Sequence, residues 1–240
     1  MKNVKVILII PAYNEEENIL STYNSIIKYN KTNKTNYDVI VINDGSKDNT
    51  SKICHEHNIP VIDLIHNLGI GGAVQTGYKY AYYNNYDIAI QFDGDGQHDV
   101  SYVKKIIDPI VNKKADMVIG SRFINKNSDG FKSTLMRRIG IKIISLFMMF
   151  SVGKKIYDTT SGFRACSKDL IKDFAASYPS EYPEPITTVE TIKKNFVVKE
   201  VETKMNEREN GVSSIRAWKE VYYMLNVCLA LFIIKFRRYK

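Results

Sequence analysis

Two aspartates, Asp93 and Asp95, stand two residues apart in the stretch QFDGDGQHD, residues 91–99, directly after the apolar run YDIAI. Paired carboxylates at the end of a buried strand supply hard oxygen ligands and leave coordination positions open, which suits Mg²⁺ or Mn²⁺ held against a diphosphate. Gln97 adds an amide oxygen to that set, and His98 a nitrogen that Mn²⁺ accepts more readily than Mg²⁺. Asp44 closes another apolar run in VINDGS, where a carboxylate can take hydrogen bonds from a base N–H or from ribose hydroxyls. In NLGIGGAVQTG the glycines, Gly71 among them, let backbone approach a ligand, although the spacing is neither G-x-G-x-x-G nor a Walker A sequence. Neither a dinucleotide fold nor an NTPase is indicated. Arg122, Arg137, Arg138, Arg164 and Arg208 are cations that could hold further phosphate oxygens.

Such residues act together only if the chain brings them to one place. Residues 4–13, 37–44, 59–65, 86–93 and 115–122 read as strands, because their centres are continuous Val, Ile and Leu of the kind a parallel sheet buries on both faces. Residues 15–30, 48–57, 71–84 and 101–113 read as helices between them. NEEEN supplies acids for the first helical turn, and Ser46 or Asp48 an N-cap for the second helix. This rhythm predicts an α/β fold, an open, mostly parallel sheet with helices on both faces, whose ligands gather beyond the carboxyl ends of the strands. The polar clusters PAYNEE, NDGSKDN, HNLGIGGA, DGDGQHD and GSRF each fall at such an end.

The second half has another character. Residues 135–152, LMRRIGIKIISLFMMFSV, form an apolar segment with basic residues near one end, and 157–171 read as a loop leading into a helix. A polar segment rich in Pro, Tyr and Glu follows, then a strand in FVVKEVET, a basic loop, and a tail of apolar residues ending in KFRRYK. Neither 135–152 nor the tail reaches the ~20 apolar residues that span a bilayer. Both have the basic and aromatic make-up of helices lying in a membrane interface.

The chain has 240 residues, a net charge of +8 and a pI near 9.2, which favours an anionic partner. Cys54, Cys166 and Cys228 are odd in number and form no CxxC pair, which suits a reducing compartment and gives no zinc framework. The amino terminus lacks the pattern of a secretory signal peptide. A nucleic-acid-binding role would explain the charge but leaves the D-x-D superfluous and repulsive toward a phosphate backbone. A nucleotidyltransferase would carry a Gly-rich, basic signature after its first strand, where PAYNEEEN is acidic.

As a set, IIPAYNEEENI (9–19), VINDGSKDNT (41–50), NLGIGGAVQTGYKYA (67–81), QFDGDGQHD (91–99), GSRF (120–123), DTTSGFRA (158–165) and RENGVSS (208–214) resemble the family 2 inverting glycosyltransferases, specifically their polyprenyl-phosphate, dolichyl-phosphate mannose synthase-like branch. The resemblance implies a GT-A, Rossmann-like catalytic domain over 1–215, with an interfacial helix near 135–152 and an amphipathic membrane-associated helix over 216–240. It implies that Pro11, Tyr13, Glu15 and Asp44 contact the nucleotide and that Asp93 faces the nucleotide sugar. Asp95 and Gln97, with Asp93 beside them, then hold Mg²⁺ or Mn²⁺. Arg122, Arg208 and one of Arg137 or Arg138 would lie near donor or acceptor phosphates. Arg208 opens an R-x-x-G-x-S stretch in which Ser214 stands where relatives often have lysine.

The expected reaction moves a sugar from a nucleoside diphosphate, UDP before GDP, to a polyprenyl phosphate at the cytosolic membrane face. The resemblance extends to bacterial undecaprenyl-phosphate enzymes carrying glucose or N-acetylglucosamine for wall glycans, which often work with a small membrane-protein partner. A lipid monophosphate arrives anionic and needs cations, not a base, to attack the anomeric carbon. A saccharide hydroxyl, the alternative acceptor, would need a general base; Asp158 is the candidate for that base, or else for orienting the acceptor.

Overall fold

The computed structural model describes residues 4–124, 135–205, 217–237 and 239, with side chains at 135–139 and 217–223 outside the description. Seven strands, β1 (Val6–Ala12), β2 (Tyr37–Asn43), β3 (Val61–Asp63), β4 (Ile88–Gln91), β5 (Met117–Ser121), β6 (Arg164–Ser167) and β7 (Val198–Glu202), form one sheet in the order β3-β2-β1-β4-β6-β5-β7. All pairings are parallel except those of β6, which runs antiparallel between β4 and β5.

The fully buried β1 shows why both faces are covered. Ile7 and Ile9 point to one apolar layer and Val6, Leu8 and Ile10 to the other, as the two-residue period of a strand requires. Helices α1 (Ile19–Asn33), α2 (Thr50–Glu56) and α4 (Val103–Val111) cover the second layer through Ile19, Ile26, Cys54 and Ile106. On the first lie α3 (Gly69–Tyr83), α5 (Leu135–Val152), α6 (Lys168–Ala176), α7 (Pro183–Lys193) and α8 (Ala217–Phe236).

Several boundaries differ from the sequence reading. Helix α1 begins at Ile19 rather than 15, because the Glu15 carbonyl accepts from the Asn18 and Ile19 amides and the preceding turn is tied across to the next loop. There the Asn14, Glu15 and Glu16 amides donate to Ser46 Oγ, Thr50 Oγ1 and Asp48 Oδ2. The first helical turn therefore has no acid, and Ser46 and Asp48 brace this junction while Asn49 precedes α2. Strand β3 is only three residues long, as an edge strand. The loop expected from 157 contains β6, and the polar segment after 178 contains α7.

Helix α8 shares the core of the sheet: Val227, Leu231 and Ile234 are buried in the same cluster as Ile7 and Ile9. Lys193 Nζ donates to the Ile234, Lys235 and Arg237 carbonyls at 2.6, 2.6 and 2.7 Å, capping the carboxyl end of α8. Helix α5 likewise buries Ile141, Ile144 and Met148. The opposite faces expose Leu146, Met149 and Phe150 on α5 and Leu225, Leu229, Phe232, Ile233 and Phe236 on α8. Among the described residues no helix is long and apolar enough to cross a membrane.

Candidate active site

The sheet order places β2 and β3 to one side of β1 and β4 to the other, so a crevice opens where the chain reverses direction, beyond the carboxyl ends of β1 and β4. Because β6 is antiparallel, the loop entering it, residues 158–163, lies at that same edge. Gln91 and Ile119 both pair with Arg164.

On the β1–β2 side, Pro11 pairs with Ile42 within the sheet, Tyr13 is 44% exposed just beyond it, and Glu15 follows in the turn. Asp44 is buried, and its Oδ1 accepts from the Leu68 amide at 2.7 Å. Burial pushes this carboxyl up, while the amides of Leu68 and Gly69 pull it down. Asp44 thus anchors the turn before α3 as well as standing at the strand end. Gly71 is placed differently from the ligand contact expected of it: a Cβ there would lie 2.1 Å from the Pro179 carbonyl oxygen and 2.5 Å from that of Ser180. Its missing side chain makes room for the chain's own 179–180 peptides.

The acidic loop is braced from behind by His98. Its buried Nδ1 accepts from the Asp93 amide at 2.9 Å, so the neutral ring carries its proton on Nε2, 3.4 Å from Asp93 Oδ2. The ring stacks on Phe163 at 4.8 Å and meets Phe92 edge-on at 5.3 Å. Burial pushes the imidazole down to about 4 against the pull of Asp95, with Arg122 lowering it further and Asp158 opposing. His98 therefore holds the backbone of the loop and is not presented as a ligand. Asp95 Oδ1 accepts from the Gln97 amide at 3.1 Å, closing a tight turn at Gly96.

Asp93, Asp95 and Gln97 fit a divalent cation as an oxygen donor set. Among the described residues no three His, Cys, Asp or Glu side chains gather around one point, so phosphate oxygens and water would have to complete such an ion's shell.

Asp93 is seated against Gly162. A Cβ at 162 would fall 2.9 and 3.0 Å from Asp93 Oδ1 and Oδ2 and 2.9 Å from Gln91 Nε2. Gly162→Ala is expected to leave the fold intact while displacing the carboxylate. Activity should drop about 10²-fold, the usual consequence of an ångström-scale misplacement, with destabilisation of about 1–3 kcal/mol. Steady-state kinetics alongside a urea melt would check both.

Arg122, at the end of β5, is buried and forms a two-pronged ion pair with Asp158: Nε to Oδ2 and Nη2 to Oδ1, each at 2.7 Å. The Arg122 amide also donates to Asp158 Oδ2 at 3.0 Å, and Nη2 reaches Thr160 Oγ1 at 3.1 Å. Burial works against the Arg122 charge, but Asp158, and after it Asp93, raise its affinity for the proton. Behind the pair, Glu200 on β7 accepts from the Tyr157 and Asp158 amides at 2.9 and 2.8 Å. Burial pushes the Glu200 carboxyl up, and these amides pull it back.

Arg164 is not a phosphate ligand at the surface. It is 1% exposed and donates to the Ser161 carbonyl, the Glu184 carbonyl and Thr187 Oγ1. Arg208 and the Arg137 and Arg138 side chains lie outside the described residues. The structure thus brings Asp93, Arg122 and Asp158 into one electrostatic neighbourhood and adds Gln91, Gly162, Glu184 and Glu200. Of these, Gln91 and Gly162 lie inside stretches the sequence singles out, QFDGDGQHD and DTTSGFRA.

The pattern of Glycosyl transferase family 2 matches residues 7–174. The chain is 38% identical over 190 residues to a UDP-N-acetylglucosamine–dolichyl-phosphate N-acetylglucosaminyltransferase of Methanococcus voltae, covering 72% of this chain and 73% of that protein. It is 28% identical over 221 residues to the polyprenol monophosphomannose synthase of Mycolicibacterium smegmatis, covering 88% and 81%. Among solved structures, glucosyl-3-phosphoglycerate synthase from Mycobacterium tuberculosis in complex with Mn²⁺, UDP and phosphoglyceric acid superposes with a TM-score of 0.72 at 17% identity, covering 99% of this chain and 80% of that one. That likeness identifies the fold as GT-A.

Proposed function

The chain belongs to glycosyl transferase family 2, and from that premise we propose that it moves one sugar from a nucleoside diphosphate to a polyprenyl phosphate with inversion at the anomeric carbon. The observation that carries this reading is the state of Asp158. A hydroxyl acceptor would need a base, yet Asp158 is wholly buried and takes three N–H donors from Arg122. A carboxylate so engaged orients a guanidinium; it does not collect a proton. An acceptor that arrives as an anion needs no such base. The relatives in Methanococcus and Mycolicibacterium are named for transfer to, or synthesis of, lipid phosphates of this class.

In this reading a phosphate oxygen of the lipid attacks the anomeric carbon from the face opposite the diphosphate. The bond from that carbon to the diphosphate oxygen breaks, and the nucleoside diphosphate leaves with the electron pair. Pro11, Tyr13, Glu15 and Asp44 seat the nucleotide, and Asp93 faces the sugar. Asp95, Gln97 and Asp93 would hold Mg²⁺ or Mn²⁺, which would supply Lewis-acid stabilisation of the leaving diphosphate. Arg122, fixed by Asp158, supplies positive charge beside Asp93, and Arg208 belongs with it as a phosphate contact. The donor is a UDP-sugar, glucose or N-acetylglucosamine, in keeping with the uridine nucleotides named for a relative and for the solved neighbour.

The exposed apolar faces of α5 and α8, with Lys235 and Arg237 at the end of α8, suit the cytosolic leaflet where such a lipid presents its phosphate. Leu229→Glu with Phe232→Glu alters only exposed positions. Each buried side chain of this size contributes about 1.5–3 kcal/mol, so the pair should reduce co-sedimentation with phosphatidylglycerol vesicles at least tenfold and leave the unfolding midpoint unchanged.

The reading is tested by supplying undecaprenyl phosphate, Mn²⁺ or Mg²⁺ and radiolabelled UDP- and GDP-sugars, and following label into organic extract. One UDP-sugar should label the lipid in a metal-dependent way. Donor hydrolysis across the panel with no labelled lipid would refute the acceptor.

A further inference from the structure

The imidazole of His98 is fixed by its surroundings before it meets Asp93. Its side chain is wholly buried. Phe163 stacks on it with the ring planes 23° apart, Phe92 meets it at 78°, and these two phenyl rings pack edge to face on each other at 5.6 Å. The main chain of His98 bridges to Met205, beyond β7. A ring held in this way is a reference point against which a more mobile side chain can be set.

Both of its nitrogens stand against one residue. Nδ1 accepts from the Asp93 amide at 2.9 Å. A nitrogen that accepts carries no proton, so the neutral ring has its N–H at Nε2. That group is buried and has no hydrogen-bond partner, although Asp93 Oδ2 stands only 3.4 Å away. An unmade hydrogen bond inside a protein is destabilising, and such groups are rare enough to call for a reason. Asp93 supplies one. Its side chain is 32% exposed and sits against Gly162, where a Cβ would fall 2.9 and 3.0 Å from its two oxygens. Bringing Oδ2 from its present place to the roughly 2.7–2.9 Å of a hydrogen bond to a carboxylate is a shift of about half an ångström. Hydrogen bonds of a working site are often long in the unliganded protein and tighten when substrate is bound.

We propose that His98 is a positioning residue for Asp93, gripping its main chain through Nδ1 at all times and its carboxylate through Nε2–H once a nucleotide sugar is bound. The two contacts together close a ring of atoms from the Asp93 amide through the imidazole to Oδ2, which leaves the carboxylate a single orientation and Oδ1 for the donor. This role rests on the reading of Asp93 as the acid that faces the nucleotide sugar.

Two substitutions separate the nitrogens. Asparagine can place its carbonyl oxygen where Nδ1 stands and offers nothing at Nε2; glutamine reaches the Nε2 position with an N–H and leaves the Asp93 amide without its acceptor. His98→Asn should lower kcat about tenfold or more with little change in the KM for donor, because what it loses is an orientation needed in the transition state. His98→Gln should keep more of kcat than His98→Asn and yet have the lower unfolding midpoint. A purely structural role would make activity fall in step with the midpoint across the two variants and His98→Ala, and that result would overturn the proposal. So would losses that multiply when His98→Asn is added to Asp93→Asn, since both break the same link.

The contact can also be read in the wild-type chain. Of its four histidines only His98 is buried, so in ¹⁵N-histidine-labelled protein its Nε2 proton is the one protected from exchange with water. Adding Mg²⁺ with UDP-glucose or UDP-N-acetylglucosamine should move that proton downfield, as a shortened hydrogen bond to a carboxylate requires. A proton unmoved at saturating donor would overturn the proposal. A wild-type chain that labels no lipid fails the proposed function, and the proton shift still tests the contact. A wild-type chain that labels lipid, with His98→Asn doing so equally well, fails this inference alone.

Discussion

Asp95→Ala should lower sugar transfer about 10³-fold, the scale of losing a metal ion's several kcal/mol of charge stabilisation on a leaving diphosphate. The loss should appear in kcat, since the charge in question develops as the bond to the anomeric carbon breaks. The fold should be unaffected. Asp95 is partly exposed in its turn and accepts from the Gln97 amide, and losing that hydrogen bond should lower stability by about 1 kcal/mol. Raising the Mn²⁺ concentration should recover part of the activity of Asp95→Asn, which keeps an oxygen ligand, and none of that of Asp95→Ala. Equal activity of Asp95→Ala and wild type would remove the metal from the account.

The second large effect concerns Arg122 and Asp158. Both are buried, and the attraction between them offsets the cost of taking each charge out of water. Asp158→Asn or Arg122→Met alone leaves an uncompensated charge or a broken network, and should destabilise the protein by about 3–5 kcal/mol. The double variant Arg122→Met with Asp158→Leu replaces the pair by apolar groups and should regain most of that stability. Activity should not return with it, because the guanidinium beside Asp93 is gone. This separation of stability from activity is what distinguishes a cation that works on phosphate from one that merely closes the fold. Recovery of transfer in the double variant would place Arg122 outside the chemistry.

Much of the frame was legible from residue types. Strands β1, β2, β4 and β5 announced themselves because both of their faces are buried, which demands unbroken Val and Ile. The clusters at their carboxyl ends followed from that placement. Strand β6 was not legible: RACS is four residues long and begins with a charged side chain that only tertiary partners make buriable. Once β6 is inserted antiparallel, the 158–163 loop is carried to the working edge, and the pairing of Arg122 with a residue 36 positions away becomes possible. No local pattern encodes that meeting. Helix α7 did carry a signal in YPEP, proline at the first helical position with an acid in the first turn, although the surrounding polar composition masked it. Arg164 illustrates the opposite error. An arginine next to a glycine loop reads as a phosphate ligand, yet here the side chain is buried, with Nε and Nη1 given to carbonyls inside the core and Nη2 left without a hydrogen-bond partner.

His98 shows how far ligand chemistry can be read from a residue type alone. An imidazole between Gln97 and Asp99 suggests a metal ligand only until its Nδ1 is seen to hold the Asp93 amide. Its contribution is to the shape of the loop, which its stacking on Phe163 and its edge-on contact with Phe92 support.

The central claim is that the acceptor brings its own negative charge, so the site supplies cations and no base. It is tested most directly by offering the labelled donor, in one detergent solution with Mn²⁺, to undecaprenyl phosphate and to undecaprenol, lipids that differ only in the phosphate. The account predicts label in the phosphate-bearing lipid alone. Label in the alcohol at a comparable rate would contradict it, because a hydroxyl can be glycosylated at that rate only where a base removes its proton.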